Sequence, residues 1–250
     1  MARAAILGRL TWHVVTVVEI REETAAARTL VLDVPDWPGH LAGQHLDVRL
    51  TAEDGYTAQR SYSIASAPAG PLVELTIQRV ADGEVSSFLV DVAMAGDTFE
   101  IRGPVGGYFT WEPVDSAPVL LVAGGSGIVP LMAMIRVRAA TASRVPFRLV
   151  YSVRDPGSIV YAAELLCRAR DDLGLDVAYA YTREAPAEWT HRLGRLDGAR
   201  LGETGWPAEF EPSCYVCGPT GFVEAVANLL VGSGHAPDRI KTERFGASGG

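Results

Sequence analysis

The chain has 250 residues, 48% of them hydrophobic and 21% charged, and 22 basic residues against 30 acidic ones give a net charge of −8. This length predicts one or two domains at about 150 residues per domain, with enough apolar side chains for a sizeable core. The acidic balance argues against a nucleic-acid partner, although a local basic patch could still bind a phosphorylated cofactor.

Nothing in the printed sequence indicates a membrane or a secretory route. No apolar run approaches the roughly 18 residues of a membrane helix, and Met1 to Leu10 lack the apolar core and cleavage site of a secretion signal. The three cysteines, Cys167, Cys214 and Cys217, are too few for a disulfide framework. We therefore expect a cytoplasmic protein with neither a membrane nor a nucleic-acid partner.

Short strands are predicted throughout the first half of the chain. In one run Val73, Leu75 and Ile77 alternate with polar residues, which is the period-2 pattern of a half-buried antiparallel strand. A short helix is expected through Phe88, Leu89 and Val92, with Ser86 and Ser87 as candidate capping residues. Six strand-like runs predict a small antiparallel barrel or sandwich. They are Trp12–Ile20, Arg28–Val34, Gln44–Leu50, Arg60–Ile64, Leu72–Val80 and Thr98–Arg102.

The second half alternates continuous apolar strands with helices, which indicates a doubly wound parallel sheet. Val119–Ala123 is followed by the glycine-rich run Gly124–Gly127 and by a helical pattern from Pro130. Further strands and helices are predicted at Phe147–Ser152, Tyr161–Asp171, Leu175–Tyr181, Cys214–Cys217 and Phe222–Leu230. The expected domains are a six-stranded antiparallel β-barrel over residues 1–113 and a parallel α/β domain over residues 117–250, with a boundary near Val114–Ala117.

Two segments could place backbone amides against phosphate groups. The glycines of Gly124–Gly127 would let the backbone approach a ligand, and the helix that follows would offer unpaired N–H groups to a pyrophosphate. The same run is also typical of a tight strand-to-helix turn without a ligand. In the first half, Gln78–Val80 ends a strand and Gly83–Ser86 opens the short helix. Two such sites suit two dinucleotides, or one dinucleotide and one flavin.

The segment Arg60–Ser63 combines three kinds of side chain on one predicted strand. Arg60 and Tyr62 would share one face, and Ser61 and Ser63 the other. Such a strand could offer one ligand a phosphate-binding fork, a stacking surface and a hydroxyl group. The alternative is a polar strand that faces solvent.

The cysteines and histidines do not form the ligand pattern of a metal site. Cys214 and Cys217 would point to opposite faces of a strand, and the five histidines supply no second ligand pair. Cys167 falls on an apolar helix face and is expected in the core. Arg136 and Arg138 are expected on a solvated helix face, or alternatively in a docking surface for an acidic partner.

Six motifs, in their order along the chain, resemble those of the ferredoxin–NADP reductase superfamily. They are Arg60-x-Tyr-Ser63, Gly83-x-x-Ser86, Gly103-Pro-Val-Gly-Gly-Tyr-Phe109, Gly124-Gly-Ser-Gly-Ile-x-Pro130, Cys217-Gly-Pro219 and Glu243-x-Phe245, and the match covers about Trp12 to Gly246. The resemblance implies an FAD-binding barrel followed by a domain for a nicotinamide nucleotide. It also implies hydride transfer from nicotinamide C4 to flavin N5, with the protein supplying orientation and electrostatics.

The resemblance assigns roles to individual residues. It implies that Arg60 pairs with the FAD pyrophosphate, that Tyr62 stacks on the isoalloxazine, and that Ser63 lies within hydrogen-bond reach of N5. Ser63, Cys217 and Glu243 are implied as catalytic residues. Further FAD contacts are implied for Ser61, Ile64, Gln78, Arg79, Val80, Gly83, Val85 and Ser86. Contacts with the nicotinamide nucleotide are implied for Gly125, Ser126, Gly127, Cys217, Gly218, Pro219 and Phe245.

One segment stands where the family meets the adenosine ribose. Ser152 and Arg154 would suit a 2′-phosphate, with Arg183 and Arg195 adding positive charge, whereas a carboxylate there would suit the free hydroxyl of NADH. Asp155, next to Arg154 in the sequence, is a carboxylate and therefore argues for NADH. The balance favours NADPH, with NADH as the alternative.

The electron acceptor is expected to be a separate protein, such as a ferredoxin or an oxygenase component. Many relatives carry a fused 2Fe–2S domain with a Cys-x4-Cys-x2-Cys run, and the printed sequence contains no such run. The alternatives are a reductase of diffusible flavin or quinone, an electron-transfer subunit active only inside a complex, and a nucleotide-binding module without catalysis. Plant-type members end on an aromatic that covers the flavin. Here the corresponding aromatic is Phe245, and five residues, Gly246–Gly250, follow it in the sequence. The sequence is compatible both with a Phe245 that covers the flavin and with one that does not.

Overall fold

The first half of the computed structural model is a six-stranded antiparallel sheet, as the sequence predicts. Residues 10–245 are described; the outer ends of both predicted domains, including the Gly246–Gly250 tail, lie outside the described residues. Val73, Leu75 and Ile77 are fully buried, so the alternating apolar side chains face the core. The strands are β1 His13–Thr24, β2 Ala27–Asp33, β3 His45–Thr51, β4 Thr57–Ser63, β5 Leu72–Gln78 and β6 Thr98–Val105, in the order β4-β3-β6-β1-β2-β5.

The sheet closes on itself because its two edge strands meet. Ile64, which directly follows β4 and is fully buried, pairs with Leu75 of β5 in an antiparallel bridge. Helix α1, Glu84–Ser87, and the π-helical turn Phe88–Val92 pack against the barrel core. Val85, one of the residues with an implied FAD contact, is 1% exposed in that core.

The helix in this half begins earlier than the sequence predicts. Its first residue is Glu84 and Gly83 precedes it, so Ser86 and Ser87 lie inside the helix and do not cap it. The Ser86 hydroxyl donates to the Gly83 carbonyl at 3.1 Å and accepts from the Val80 amide at 3.2 Å. The side chain of Ser86 therefore fixes the turn that leads into the helix.

The second half is a five-stranded parallel sheet with helices on both faces, which confirms the doubly wound prediction. Its strands are β7 Val119–Gly124, β8 Phe147–Val153, β9 Leu175–Tyr181, β10 Ser213–Pro219 and β11 Ile240–Phe245, in the order β11-β10-β7-β8-β9. Its helices are α2 Ile128–Ala140, α3 Ala162–Asp171, α4 Gly198–Thr204 and α5 Thr220–Gly232. The central strand β7 is buried at every position because both faces of the sheet are covered. Helix α2 starts before the predicted Pro130, since the Gly125–Gly127 turn leads straight into it.

Three predicted side-chain environments in this domain are wrong. Cys167 is exposed, because α3 buries only Leu165. Arg136 and Arg138 were expected on a solvated face of α2, but their side chains are 12% and 4% exposed and pair with carboxylates. Every residue from 128 to 135 is buried, so the sequence of α2 does not distinguish a solvent face from a core face. Within residues 10–245, no helix is long and apolar enough to cross a membrane.

Residues at the end of the barrel half pack directly on the parallel sheet. Trp111 is 1% exposed, forms a backbone bridge with Ala42, and stands edge-on to Phe147 with ring centroids 4.9 Å apart. Tyr215 of β10 donates its hydroxyl to the Thr110 carbonyl at 2.9 Å. The two halves therefore share one hydrophobic cluster.

Replacing Trp111 tests how much this shared cluster stabilises the fold. Trp111→Ala is expected to lower the free energy of unfolding by about 3–5 kcal/mol, because it leaves a cavity between the two sheets. Val114→Ala, at a side chain that is 85% exposed, is the control and is expected to change it by less than about 0.5 kcal/mol. Urea denaturation measures both values, and similar effects for the two variants would contradict the account.

Candidate functional site

The three residues implied as catalytic lie together where the two domains touch. Ser63, the last residue of β4, donates its hydroxyl to Glu243 Oε1 of β11 at 3.3 Å. Cys217 of β10 is the direct neighbour of Glu243 in the parallel pairing. Cys214 packs on the opposite side of the sheet, so the prediction that the two cysteines face apart is confirmed. In the part of the chain that the structure describes, no three His, Cys, Asp or Glu side chains gather as metal ligands.

Burial shifts both acidic groups of this cluster toward their neutral forms. It raises the pKa of Glu243 to about 7, and the hydrogen bond from Ser63 opposes that shift. Burial, reinforced by the nearby Glu243 carboxyl group, raises the pKa of the Cys217 thiol well above its ordinary value. Glu243 Oε2 is buried and has no hydrogen-bond partner among residues 10–245. One oxygen of a buried carboxyl group therefore has no partner in the structure, which is uncommon for a buried polar atom.

Strand β4 presents the other predicted flavin contacts in different environments. Arg60 is exposed; its guanidinium donates to the carbonyl of Gln59 at 2.7 Å and forms no ion pair with the described residues. Tyr62 is half-buried, and burial raises the pKa of its phenol to about 12, so the ring stays neutral. The Ser61 hydroxyl donates to Asp47 at 2.7 Å, so the structure engages it within the sheet.

The residues at the end of β5 border the same region. A Cβ added to Gly125, in the turn of the other domain, would stand 3.9 Å from Gln78 Oε1. Arg79 forms a surface ion pair with Asp91 at 3.0 Å, and Val80 is exposed. The structure therefore brings Gln78 to the glycine turn and leaves the two residues after it at the surface.

Close packing explains three glycines where the end of β7 and the turn after it meet the end of β10. A Cβ at Gly127 would stand 2.1 Å from the Cys217 carbonyl oxygen, and a Cβ at Gly124 or Gly218 would stand 2.7 or 2.8 Å from the ring of Phe222. The turn thus lies directly against the end of β10, with no room for side chains between them. Helix α2 has no side-chain cap, so the turn offers a ligand its backbone amides and the hydroxyl of its single serine.

Two arginines stand side by side at the carboxyl edge of the parallel sheet. Arg154 follows β8 and Arg183 follows β9, and the Arg183 amide donates to the Arg154 carbonyl at 2.9 Å. Both side chains are exposed, and neither forms an ion pair within residues 10–245. Ser152 is 7% exposed and pairs with Gly124, so it lies nearer the glycine turn.

A cavity of about 400 Å³, which the sequence did not predict, opens beside this edge. Most of its lining comes from the segment between β9 and α4, including Trp189, Arg192 and Arg195, and the rest comes from β9 and from α4, which supplies Arg200. Trp189 Nε1 and Arg200 Nε are buried without hydrogen-bond partners among the described residues. The cavity wall therefore combines an aromatic ring and three arginines with the carboxylates of Asp197 and Glu203.

The last strand carries Phe245 to the edge of the same interface. Phe245 pairs with Pro219 in the parallel register and is 37% exposed. It lies two residues after Glu243, on the same side of β11. Tyr108, which sequence reasoning missed as a contact, donates its hydroxyl to the carbonyl of Ile240 at 3.3 Å and ties the barrel to the start of β11.

Two protein-family models together match most of the chain. The oxidoreductase FAD-binding domain matches residues 14–110, and the oxidoreductase NAD-binding domain matches residues 121–228. With a barrel and a parallel sheet that meet at Ser63 and Glu243, these matches define a two-domain flavoprotein of the reductase type. The chain belongs to the ferredoxin–NADP reductase superfamily.

Two similar proteins are named as reductase components of oxygenases. The glycine betaine monooxygenase reductase subunit of Chromohalobacter salexigens is 32% identical over 248 residues, which cover 95% of this chain and 66% of that protein. The ferredoxin reductase component of 3-ketosteroid-9-alpha-monooxygenase from Mycolicibacterium smegmatis is 31% identical over 240 residues, which cover 92% of this chain and 64% of that protein. The chain thus spans about two thirds of these relatives' length.

The fold is shared with solved structures. The FAD/NAD-binding domain of nitric oxide dioxygenase from Vibrio cholerae O1 biovar El Tor aligns with a TM-score of 0.83 at 25% identity, over 94% of this chain and 98% of that one. The ferredoxin reductase in carbazole 1,9a-dioxygenase aligns with a TM-score of 0.79 at 25% identity, over 96% of this chain and 71% of that one.

The pKa of Glu243 predicts a pH-dependent stability. Because the folded-state pKa of about 7 lies above the ordinary 4.5, the folded state binds more protons between these values, and stability is lost as the pH rises through that window. The free energy of unfolding of the wild type, relative to Glu243→Gln, is expected to fall by about 1–3 kcal/mol between pH 4.5 and pH 8. Urea denaturation at both pH values measures it; parallel pH curves for the two proteins would show that Glu243 titrates normally.

Proposed function

We propose that the protein is an FAD-dependent NAD(P)H oxidoreductase that passes electrons to a separate acceptor. The observation that carries the proposal is the contact between Ser63 and Glu243, which joins the end of a barrel strand to the end of the parallel sheet. FAD, when bound, would supply the redox chemistry by accepting a hydride from nicotinamide C4 at its N5 atom. The residues of the chain bind and orient the two nucleotides and hold a proton beside them.

The barrel side of the interface fits a flavin. Arg60 has an exposed guanidinium with no ion pair among the described residues, and we assign it to the pyrophosphate. Tyr62 offers a neutral ring for stacking on the isoalloxazine. Ser63 is assigned to N5, with the unpartnered Oε2 of Glu243 beside it. Near pH 7 a carboxyl group with this pKa is held about half the time as an acid, which suits the exchange of a proton at that place.

The parallel-sheet side fits a nicotinamide nucleotide. The backbone amides of Gly125–Gly127 are assigned to its pyrophosphate, because they precede a helix that has no side-chain cap. Cys217, Gly218 and Pro219 are assigned to one side of the nicotinamide, and Phe245 to the other. The raised pKa of Cys217 keeps its thiol neutral, so we assign it a packing contact and no nucleophilic role.

The adenosine end of the nucleotide site favours NADPH. Arg154 and Arg183 place two uncompensated guanidinium groups at one edge of the sheet, where a 2′-phosphate would pair with them. Arg195, in the wall of the adjoining cavity, adds to the charge. Asp155 forms no ion pair with Arg154 among the described residues, and its carboxylate accepts a hydrogen bond from Ser158 at 2.9 Å. NADH remains the competing cofactor.

The proposed acceptor is a ferredoxin or an oxygenase component. The support is the similarity to the reductase subunit of glycine betaine monooxygenase and to the ferredoxin reductase component of 3-ketosteroid-9-alpha-monooxygenase. A reductase of diffusible flavin or quinone is the competing function. Retention of FAD through gel filtration supports the protein acceptor, whereas loss of FAD supports the diffusible one.

The visible spectrum of the purified protein, before and after anaerobic addition of NADPH, tests the proposal. A yellow protein whose flavin band bleaches would support bound flavin, hydride transfer and use of NADPH together. A colourless protein that cannot be reconstituted with FAD would overturn the assignment of Arg60, Tyr62 and Ser63. A yellow protein whose flavin stays oxidised with both NADPH and NADH would contradict the proposal that the protein is an NAD(P)H reductase.

Replacing Arg183 tests the preference for NADPH. Arg183→Gln is expected to raise the KM for NADPH about tenfold to a hundredfold, because a charge-assisted phosphate contact is lost, and to leave the KM for NADH within about threefold. Arg144→Gln, at an exposed arginine before the amino end of β8, is the control and should change neither value. Equal changes for the two nucleotides in Arg183→Gln would contradict a 2′-phosphate contact.

A further inference from the structure

Arg136, in the second half of α2, bonds to both domains at once. Its Nη1 donates to Glu74 Oε2 of β5 at 2.8 Å and to the Ala65 carbonyl at 2.9 Å, and both acceptors belong to the barrel. Its Nε and Nη2 donate to the two carboxyl oxygens of Glu164 in α3, at 3.1 and 2.6 Å. Its guanidinium carbon lies 4.9 Å from the centre of the Tyr161 ring. One planar side chain thus connects α2, α3 and the barrel.

The positions of these partners relate the contact to the two nucleotide sites. Helix α2 begins at Ile128, directly after the Gly125–Gly127 turn that is assigned to the nicotinamide nucleotide. Ala65 lies two residues after Ser63, which is assigned to the flavin. Arg136 therefore ties the helix that follows one site to the chain segment that follows the other.

The anchor is fixed on both sides. On the barrel side, Glu74 is also paired with Arg21. On the nucleotide side, Glu164 is also paired with Arg168 at 2.7 Å. The Tyr161 hydroxyl donates to Thr76 in the barrel, so a second bond crosses between the domains nearby. Movement of one domain against the other would break several of these bonds together.

Stability alone does not account for a nearly buried charge at this place. Taking an ion pair out of water costs about as much as the pair returns, and apolar side chains of similar size often stabilise a fold as well or better. A guanidinium with two carboxylates and a carbonyl fixes direction and distance, which apolar packing does not. A fixed geometry matters where two bound groups must approach within about 3–3.5 Å to react.

We propose that Arg136 is a positioning residue for hydride transfer: it sets the separation and angle between the nicotinamide held after β7 and the flavin held on β4. The inference rests on the proposed function and deepens it. Arg136 touches neither nucleotide site and acts through Ala65 and α2.

The test compares Arg136→Lys with Arg138→Lys in the FAD-loaded protein. Arg138 lies on the same helix, is 4% exposed, and donates to Asp172 and to the Val145 carbonyl, so all its contacts stay inside the nucleotide domain. A lysine in either place keeps the charge and loses the planar fork. The pair therefore separates loss of a buried arginine from loss of the contact between domains.

Three readouts are measured for both variants. In Arg136→Lys, the limiting rate of flavin bleaching by NADPH in stopped-flow is expected to fall about tenfold to a hundredfold, since a shift of about 1 Å costs on that order. The Kd for NADPH is expected to change less than about threefold, because the binding groups are untouched. Hydrogen exchange of the Ile64–Ala67 amides, measured without NADPH, is expected to accelerate. Arg138→Lys should change none of the three by more than about twofold.

A second pair of variants decides the question if Arg136→Lys does not fold. Glu74→Gln weakens the barrel side of the anchor, and Glu164→Gln weakens the nucleotide side, while each removes one carboxylate from Arg136. Slower bleaching in Glu74→Gln but not in Glu164→Gln supports the proposal. The proposal would be overturned if Arg136→Lys bleached as fast as Arg138→Lys and Glu74→Gln as fast as Glu164→Gln. It would also be overturned if Arg136→Lys showed faster exchange at Ile64–Ala67 without slower bleaching. A wild type that neither nicotinamide nucleotide can bleach would refute the proposed function instead.

Discussion

The hydrogen bond from Ser63 to Glu243 forms only if the antiparallel sheet and the parallel sheet are held in a fixed position relative to each other. An antiparallel strand ends at one partner and a parallel strand carries the other, and neither strand could present this pair alone. Trp111 and Tyr215 pack the sheets together, and Lys241, the only lysine in the sequence, donates to the Thr110 carbonyl at 3.0 Å. The cluster of Ser63, Glu243 and Cys217 is thus a product of domain packing.

Five arginines near the domain interface and the proposed nucleotide sites fall into two groups by their partners. Arg136 and Arg138 are nearly buried and bonded to carboxylates and carbonyls, and they join elements of the fold. Arg60, Arg154 and Arg183 are exposed and form no ion pair in the described residues, and they lie where phosphate groups are proposed to bind. Because a guanidinium stays charged at any ordinary pH, the unpaired group supplies a persistent attraction for anions.

The fold was predictable because its patterns are strong. The apolar β7 is buried on both faces, as predicted. The alternation in β5 correctly places Val73, Leu75 and Ile77 in the barrel core, but the polar face is covered as well, and Thr76 is 5% exposed. The environments of single side chains were less predictable. Leu165, Leu166 and Cys167 form an apolar run, but consecutive helical residues turn by about 100° each, so only Leu165 reaches the core. Arg136 was misplaced because its partners Glu74 and Ala65 are distant in sequence.

The candidate site shows the same division. The motifs named Ser63, Cys217 and Glu243, and the structure brings these three together. The cavity beside the arginine edge was missed, because most of its lining comes from an irregular segment with no periodic pattern. The closely spaced arginines 192, 195 and 200 were a signal in the sequence. The role of each site residue toward a nucleotide stays a prediction.

A crystal structure of the protein with FAD and NADP⁺ would test the central claim most directly. The account predicts the flavin N5 atom within hydrogen-bond distance of Ser63 Oγ, the pyrophosphate of NADP⁺ on the Gly125–Gly127 amides, and the Arg136 contacts with Glu74 and Ala65 unchanged. A flavin bound away from β4, or domains that separate at Arg136 when both nucleotides are bound, would contradict it.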